Sequence, residues 1–167
     1  ALKESAAFFE KAIELDPNFA AAYARKAEAY LWLESWSVLS PNEVYPKAWP
    51  AAARAVELDP DLAEAHLVLG RLKGQFERDW IGAETELKRS IELSPNFADG
   101  HLGYSWLLSR MGRHAEALEE ARRAQSLDPP MSPQVQEVFA FCYFHGRQYD
   151  QLLKHCLLWS QAQPHRP

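Results

Sequence analysis

Cysteine is nearly absent from this 167-residue chain. The two present, Cys142 and Cys156, are too few for a disulfide framework and leave the redox compartment open. Glycine is scarce as well. The seven glycines are scattered, so no phosphate-cradling loop and no Gly-x-Ser-x-Gly hydrolase turn can be found. The longest apolar run, Val138 to Phe144, falls far short of the roughly 20 residues a membrane-spanning helix needs. The opening Ala1-Leu2-Lys3-Glu4 has no apolar signal core, and a start without Met is expected of a segment cut from a longer chain. Basic charge is thin: Lys plus Arg number 18 against 23 for Asp plus Glu, a formal net charge of −5. The only adjacent basic pairs, Arg25-Lys26, Lys88-Arg89 and Arg122-Arg123, each lie close to a Glu and read as solvated helix faces. Nucleic acid is therefore not an expected partner. No segment alternates apolar and polar residues, so no strand is expected, and no cofactor motif is present.

What the chain has is a repeat. Apolar residues at 47% and charged residues at 25% suit a soluble domain able to bury a core, and the length suits one domain, 1–167. Through it runs one phrase: Glu14-Leu15-Asp16-Pro17-Asn18, Glu57-Leu58-Asp59-Pro60-Asp61, Glu92-Leu93-Ser94-Pro95-Asn96 and Ser126-Leu127-Asp128-Pro129, with Pro164 closing a degraded fifth copy. Successive prolines are 43, 35, 34 and 35 residues apart. Twelve residues before each proline stand Ser5, Ala48, Ala83, Ala117 and Leu152; five before stand Ala12, Ala55, Ser90, Ala124 and Trp159. Small side chains at fixed places let two helix axes come close. Eight before come Phe9, Ala52, Leu87, Ala121 and Cys156, all able to pack in a core.

A second set follows the prolines. Tyr23, His66 and His101 lie six residues on, Lys26, Leu69 and Tyr104 nine on, Ala27, Gly70 and Ser105 ten on, and Tyr30, Lys73 and Leu108 thirteen on. The last copy runs one residue late, with Phe139, Ala140 and Tyr143 in those places. Spacings of three and four mark one face of a helix. Proline stops the preceding helix, and the neighbouring Asp, Ser or Asn is expected to cap the next.

This pattern resembles the tetratricopeptide repeat family, whose repeat places a bulky residue, Leu-Gly, Tyr, Ala, Phe and Pro at fixed offsets. Leu69-Gly70, Ala83 and Pro95 match it in one copy, with Leu87 in the Phe place; Ala117, Ala124 and Pro129 match it in the next. Lys26, Lys73, Leu152 and Trp159 depart from it. The resemblance implies an all-α fold: an α-solenoid, a right-handed superhelix of stacked antiparallel helix hairpins. Nine helices are expected, with 2–15 as the second helix of a truncated repeat and hairpins over 18–58, 61–93, 97–127 and 132–163. The nine extra residues of the first interval fall around Trp36 to Pro46, where Pro41 and Pro46 argue against one continuous helix; Leu39 to Glu43 reads as a loop and a cap. One extra residue between Lys73 and Ala83 predicts a longer turn there. The Pro41–Ala48 insertion, Asp79-Trp80 with Gly82-Ala83-Glu84, and Arg147-Gln148-Tyr149-Asp150-Gln151 are also similar to repeats that follow a signalling module in bacterial regulators. That likeness implies a bacterial cytoplasmic setting, with the periplasm left open.

The same resemblance puts the first helix of each hairpin on a concave face and implies a non-catalytic module that binds a protein or peptide there. Offsets seven, eleven and fourteen to fifteen point away from the packing face and supply the candidate groove: Glu28, Leu31, Leu67, Arg71, Trp106, Arg110, Glu137, Phe141 and His145, with Ala24, Trp32, Gly74, Gln75, Leu102, Ser109 and Phe144 beside them. Aromatic and Arg side chains suit a peptide with apolar anchors and at least one acidic group. Family members that grip a chaperone tail do so with Lys and Asn at these offsets; here Ala24, Glu28, Leu67 and Arg71 stand instead, so that clamp is missing. Trp106 and Phe141 can equally pack between hairpins. A different role is that of a spacer or oligomerisation module in a larger regulator. The last helix carries Leu152, Leu153, Cys156, Leu157, Leu158 and Trp159 on more than one face, which predicts an uncapped end open to self-association.

Other chemistry finds little support. His66 and His101 stand one period apart at a packing offset, which marks them as structural. Cys142, His145, His155 and Cys156 lack the tight paired spacing of a zinc site, and His155 and Cys156 point in different helical directions. No metal is expected.

Overall fold

The computed structural model describes residues 2–127 and 133–162. Among them it shows nine helices and no strand: α1 (Leu2–Leu15), α2 (Ala20–Ser35), α3 (Pro41–Leu58), α4 (Ala63–Leu72), α5 (Trp80–Leu93), α6 (Ala98–Arg110), α7 (His114–Leu127), α8 (Pro133–His145) and α9 (Tyr149–Ala162). The fold is all-α, of the α-solenoid class. Pro129 and Pro164, with Ser132 and Gln163 at the ends of the last predicted hairpin, lie outside the described residues. The chain groups into two compact units, Ala1–Pro95 and Asn96–Pro167. In the first, α2 and α4 are first helices lying side by side, each packed on the second helix that follows it, α3 or α5. In the second unit α6 and α8 are the first helices, packed on α7 and α9.

The small residues sit where the helices of a hairpin meet. Ala48, Ala52 and Ala55 on α3, Ala83 and Ser90 on α5, and Ala117, Ala121 and Ala124 on α7 are all fully buried. The approach is close enough to be measured at Gly70. A Cβ there would lie 2.8 Å from Leu87 Cγ and 3.1 Å from the Ala83 carbonyl oxygen. At the matching place in the next hairpin the Ser105 hydroxyl fills the gap and donates to the Ala117 carbonyl at 2.6 Å. Ser90 likewise donates to the Ala63 carbonyl at 2.8 Å. The end helices depart from this. Cys156, expected in a core place, is exposed on α9.

The Asp-Pro phrase acts differently from the cap expected. The first helices start after Phe19, Leu62 and Phe97, none of which makes a side-chain cap bond. Asp16 and Asp59 instead fold the linker on itself, accepting from the N–H of Asn18 at 3.0 Å and of Asp61 at 3.1 Å. The cap of α3 is local: the Glu43 carboxylate accepts from the Ser40 N–H at 2.9 Å and from its hydroxyl at 2.7 Å. Pro41 occupies the first turn, but Pro46 does not end the helix, and Pro50 also lies inside it. Both rings are exposed and one turn apart, so the carbonyls they leave unpaired face water. Most of the nine-residue excess goes into helix length, with α2 at 16 residues against 13 for α6 and α3 at 18 against 14 for α7, and the rest lies in the loop 36–40.

Each hairpin turn closes on a left-handed residue: Ser37 (φ 54°), Arg78 (φ 56°), Gly112 (φ 81°) and Arg147 (φ 55°). In three of them the next N–H reaches back five residues, Val38 to Leu33, Arg113 to Leu108 and Gln148 to Tyr143. In the hairpin with the extra residue it reaches back six, Asp79 to Lys73. The insertion is therefore taken up as a π-helical turn, Lys73–Glu77, that continues α4, and the expected longer loop does not form.

Close packing at Ala117 is open to test. Ala117→Leu should cost about 1–3 kcal/mol in urea unfolding, the usual penalty of forcing bulk into a filled contact. Glu119→Leu, at an exposed position on the same helix, should change stability by less than about 0.5 kcal/mol.

Candidate interaction surface

A first helix is covered on several sides. In the first unit α2 meets α1, α3 and α4, and α4 meets α2, α3 and α5. What stays accessible is a stripe narrower than the sequence suggests. Offsets eleven and fifteen differ by one turn and point within about 40° of each other, whereas offsets seven and fourteen fall about 40–60° to the other side. The structure divides them along that line. Leu31 and Leu67, named as groove residues, are 0% and 2% exposed and belong to the core, with Ala24, Gly74, Leu102 and Ser109 buried on the same flank. They cannot present side chains to a ligand while the helices are packed.

In the first unit the stripe is polar. The Arg71 guanidinium lies 5.5 Å from the Trp32 ring centroid, a cation–π contact between α4 and α2. Gln75 donates to Glu34 at 2.7 Å. Glu28, half-buried, pairs with Arg25 at 2.8 Å. In the second unit the stripe is aromatic. Trp106 on α6, 37% exposed, meets Phe141 on α8 with ring centroids 3.9 Å apart. Phe141 meets His145 at 4.1 Å, and His145 meets Phe144 at 5.4 Å. Tyr149, which the offsets did not reach because it lies on α9, joins through Phe144 at 6.3 Å. Arg110 and Glu137 are exposed on α6 and α8.

The two histidines are core members, and each has a carboxylate that the sequence reading missed. His66 Nδ1 lies 2.7 Å from Glu86, and its Nε2 lies 2.8 Å from the Pro60 carbonyl. His101 Nδ1 lies 2.6 Å from Glu120. The signal was available: Glu86 and Glu120 each stand nine residues before a repeat proline. Glu86 also accepts from Lys73 at 2.6 Å. Burial raises the Glu86 pKa, but the Lys73 and His66 hydrogen bonds and charges together outweigh it and hold the carboxyl below the usual range. Burial pushes the Cys142 thiol up, against hydrogen bonds from Ser105 and Ser109. Among the described residues no group of three His, Cys, Asp or Glu side chains could hold a metal ion. Among the described residues, no helix is long and apolar enough to cross a membrane.

The tetratricopeptide repeat pattern matches residues 8–42 and again 98–130. These two stretches of the chain are tetratricopeptide repeats. The fold of the chain is similar to that of TTC0263, a thermophilic member from Thermus thermophilus, with TM-score 0.79 and 18% identity over 98% of this chain and 84% of that one. PilW, a widely conserved type IV pilus biogenesis factor, gives TM-score 0.77 and 16% identity over 99% and 72%. YrrB, a tetratricopeptide repeat protein with an unusual peptide-binding site, gives 0.62 and 22% over 99% and 79%. No curated protein matches the sequence.

A depressed carboxyl pKa stabilises the fold above the unfolded value of about 4.3, and that contribution is lost as pH falls through the lower folded value. Glu86→Gln should therefore flatten the acid limb of a stability–pH profile below about pH 4.3. Near pH 7 it should cost about 1–3 kcal/mol, because Lys73 and His66 lose a charged acceptor. Parallel acid limbs for the two proteins in urea titrations would contradict the assignment.

Proposed function

We propose that this chain is a non-catalytic scaffold for protein–protein contacts and that the accessible stripe of its first helices binds a peptide. The observation that carries the reading is the aromatic row Trp106, Phe141 and His145, left at the surface beside Arg110 while the neighbouring flank is fully buried. Aromatic and Arg side chains are the types that dominate interface energetics. They suit an extended or helical peptide with apolar anchors and at least one acidic group. The polar stripe of the first unit, with Glu28, Trp32 and Arg71, offers a second set of contacts of the same kind. The peptide-binding site of YrrB supports the choice of ligand class. His66 and His101 are buried and tie the two helices of their hairpins together, as structural members of the repeat.

One observation favours a different role. Leu153, Leu157 and Leu158 are exposed on α9, and Phe8 and Leu15 on α1, as in a module that stacks or self-associates within a larger bacterial regulator. Selection from a displayed peptide library separates the two. Under the binding reading, the chain enriches peptides with apolar anchors and acidic residues. Trp106→Ala should then weaken a selected peptide at least ~10-fold, and Arg71→Ala with Arg110→Ala should remove the acidic preference, all with unchanged helicity. Recovery of the same peptides at the same affinity by the substituted proteins would reject the stripe.

A further inference from the structure

The last helix breaks the rules that the other second helices obey. Where α3, α5 and α7 place fully buried Ala or Ser, five residues before the repeat proline, α9 places Trp159. Where α5 and α7 place Glu86 and Glu120, nine before, α9 places His155. An indole cannot enter a contact shaped for Ala. Consistently, among the described residues α9 packs chiefly on α8, and less closely than α3, α5 and α7 rest on their partners.

Its polar atoms are poorly served. The His155 ring lies 5.3 Å from the Phe139 ring and 5.9 Å from that of Tyr143, both on α8. His155 Nε2 and, one turn on, Trp159 Nε1 are buried without a hydrogen-bond partner, the only two such side-chain atoms among the described residues. An unsatisfied buried donor or acceptor weakens the contact that buries it. Little offsets this loss, since Leu153, Leu157 and Leu158 on the outer face stay exposed.

We propose that α9 is a detachable helix that leaves α8 as the surroundings acidify, with protonation of His155 as the trigger. A neutral imidazole rests against two aromatic rings, whereas among the described residues no carboxylate is placed to pair with a buried cation there. From α8 it faces the Tyr143 hydroxyphenyl group, the Phe139 ring and the backbone of Gln136. On α9 itself Asp150 and Lys154 are exposed. Burial lowers the His155 pKa, and a backbone hydrogen bond at Gln136 opposes it without cancelling it. The released ring takes up a proton near pH 6.5, while the docked ring resists until lower pH. Docking is therefore strongest above about pH 6.5 and weakens up to ~10-fold per pH unit below it, until the docked ring also protonates. Release uncovers Phe139 and Tyr143.

Hydrogen exchange of the full chain at pH 7.5 and 5.5 tests this, with each rate divided by the intrinsic rate at that pH. Protection of residues 149–162 should fall up to about tenfold at the lower pH while that of α4 and α6 holds. His155→Phe should abolish the fall, and His155→Gln serves the same purpose if the larger ring disturbs folding. Equal protection of α9 at both pH values, an equal fall in both variants, or absence of protection at pH 7.5 would overturn the proposal.

Discussion

In both units the paired helices approach until the side chain of one meets the backbone of the other. The Ser105 hydroxyl touches the Ala117 carbonyl, and at Gly70 only the missing Cβ leaves room for the Ala83 carbonyl and the Leu87 side chain. Much else follows from that closeness. It fixes where small residues recur, and it brings His66 and His101 within reach of Glu86 and Glu120. Such contacts are short in sequence, so each hairpin is a local unit and the stack grows by adding neighbours.

A surface for partners is what remains after this packing. First helices are flanked by the helices they pack on, and the turn-to-turn line through offsets eleven and fifteen stays more open than offsets seven and fourteen. In the first unit that line is occupied by groups already engaged with one another, the Arg71–Trp32 contact and the Gln75–Glu34 hydrogen bond among them. In the second unit the line is a row of rings whose apolar area packing does not fully cover. That difference makes the second unit the better place for an anchor.

The fold class was legible because the repeat writes it several times over: prolines at a near-constant interval, with small residues at two fixed distances before them. Less was legible in the site. Offsets seven and fourteen carry Ala24, Leu67 and Leu102, and Leu31, Gly74 and Ser109, mostly apolar or small. Offsets eleven and fifteen carry Glu28, Arg71 and Trp106, and Trp32, Gln75 and Arg110. Aligned that way, the core flank and the open stripe separate by composition alone. Angle from the packing face was too blunt a guide, because it ignores the neighbouring first helix, whose Val68, Leu69 and Leu72 pack in one cluster with Leu31. Two local features followed physics that a one-dimensional reading cannot see. Pro46 lies within α3 because its face is solvated, and the residue inserted after Lys73 is held by a π turn, with Asp79 capping α5 by accepting from the Gly82 N–H at 2.9 Å.

The most direct measurement is the unfolding free energy of Gly70→Ala, because two effects oppose each other in sign there. Helix propensity alone favours the substitution by about 1 kcal/mol. Close approach opposes it, since the new methyl group would meet Leu87 Cγ at 2.8 Å and a backbone oxygen at 3.1 Å. The account predicts a less stable protein, by about 1–3 kcal/mol. A protein made more stable by this change would contradict it.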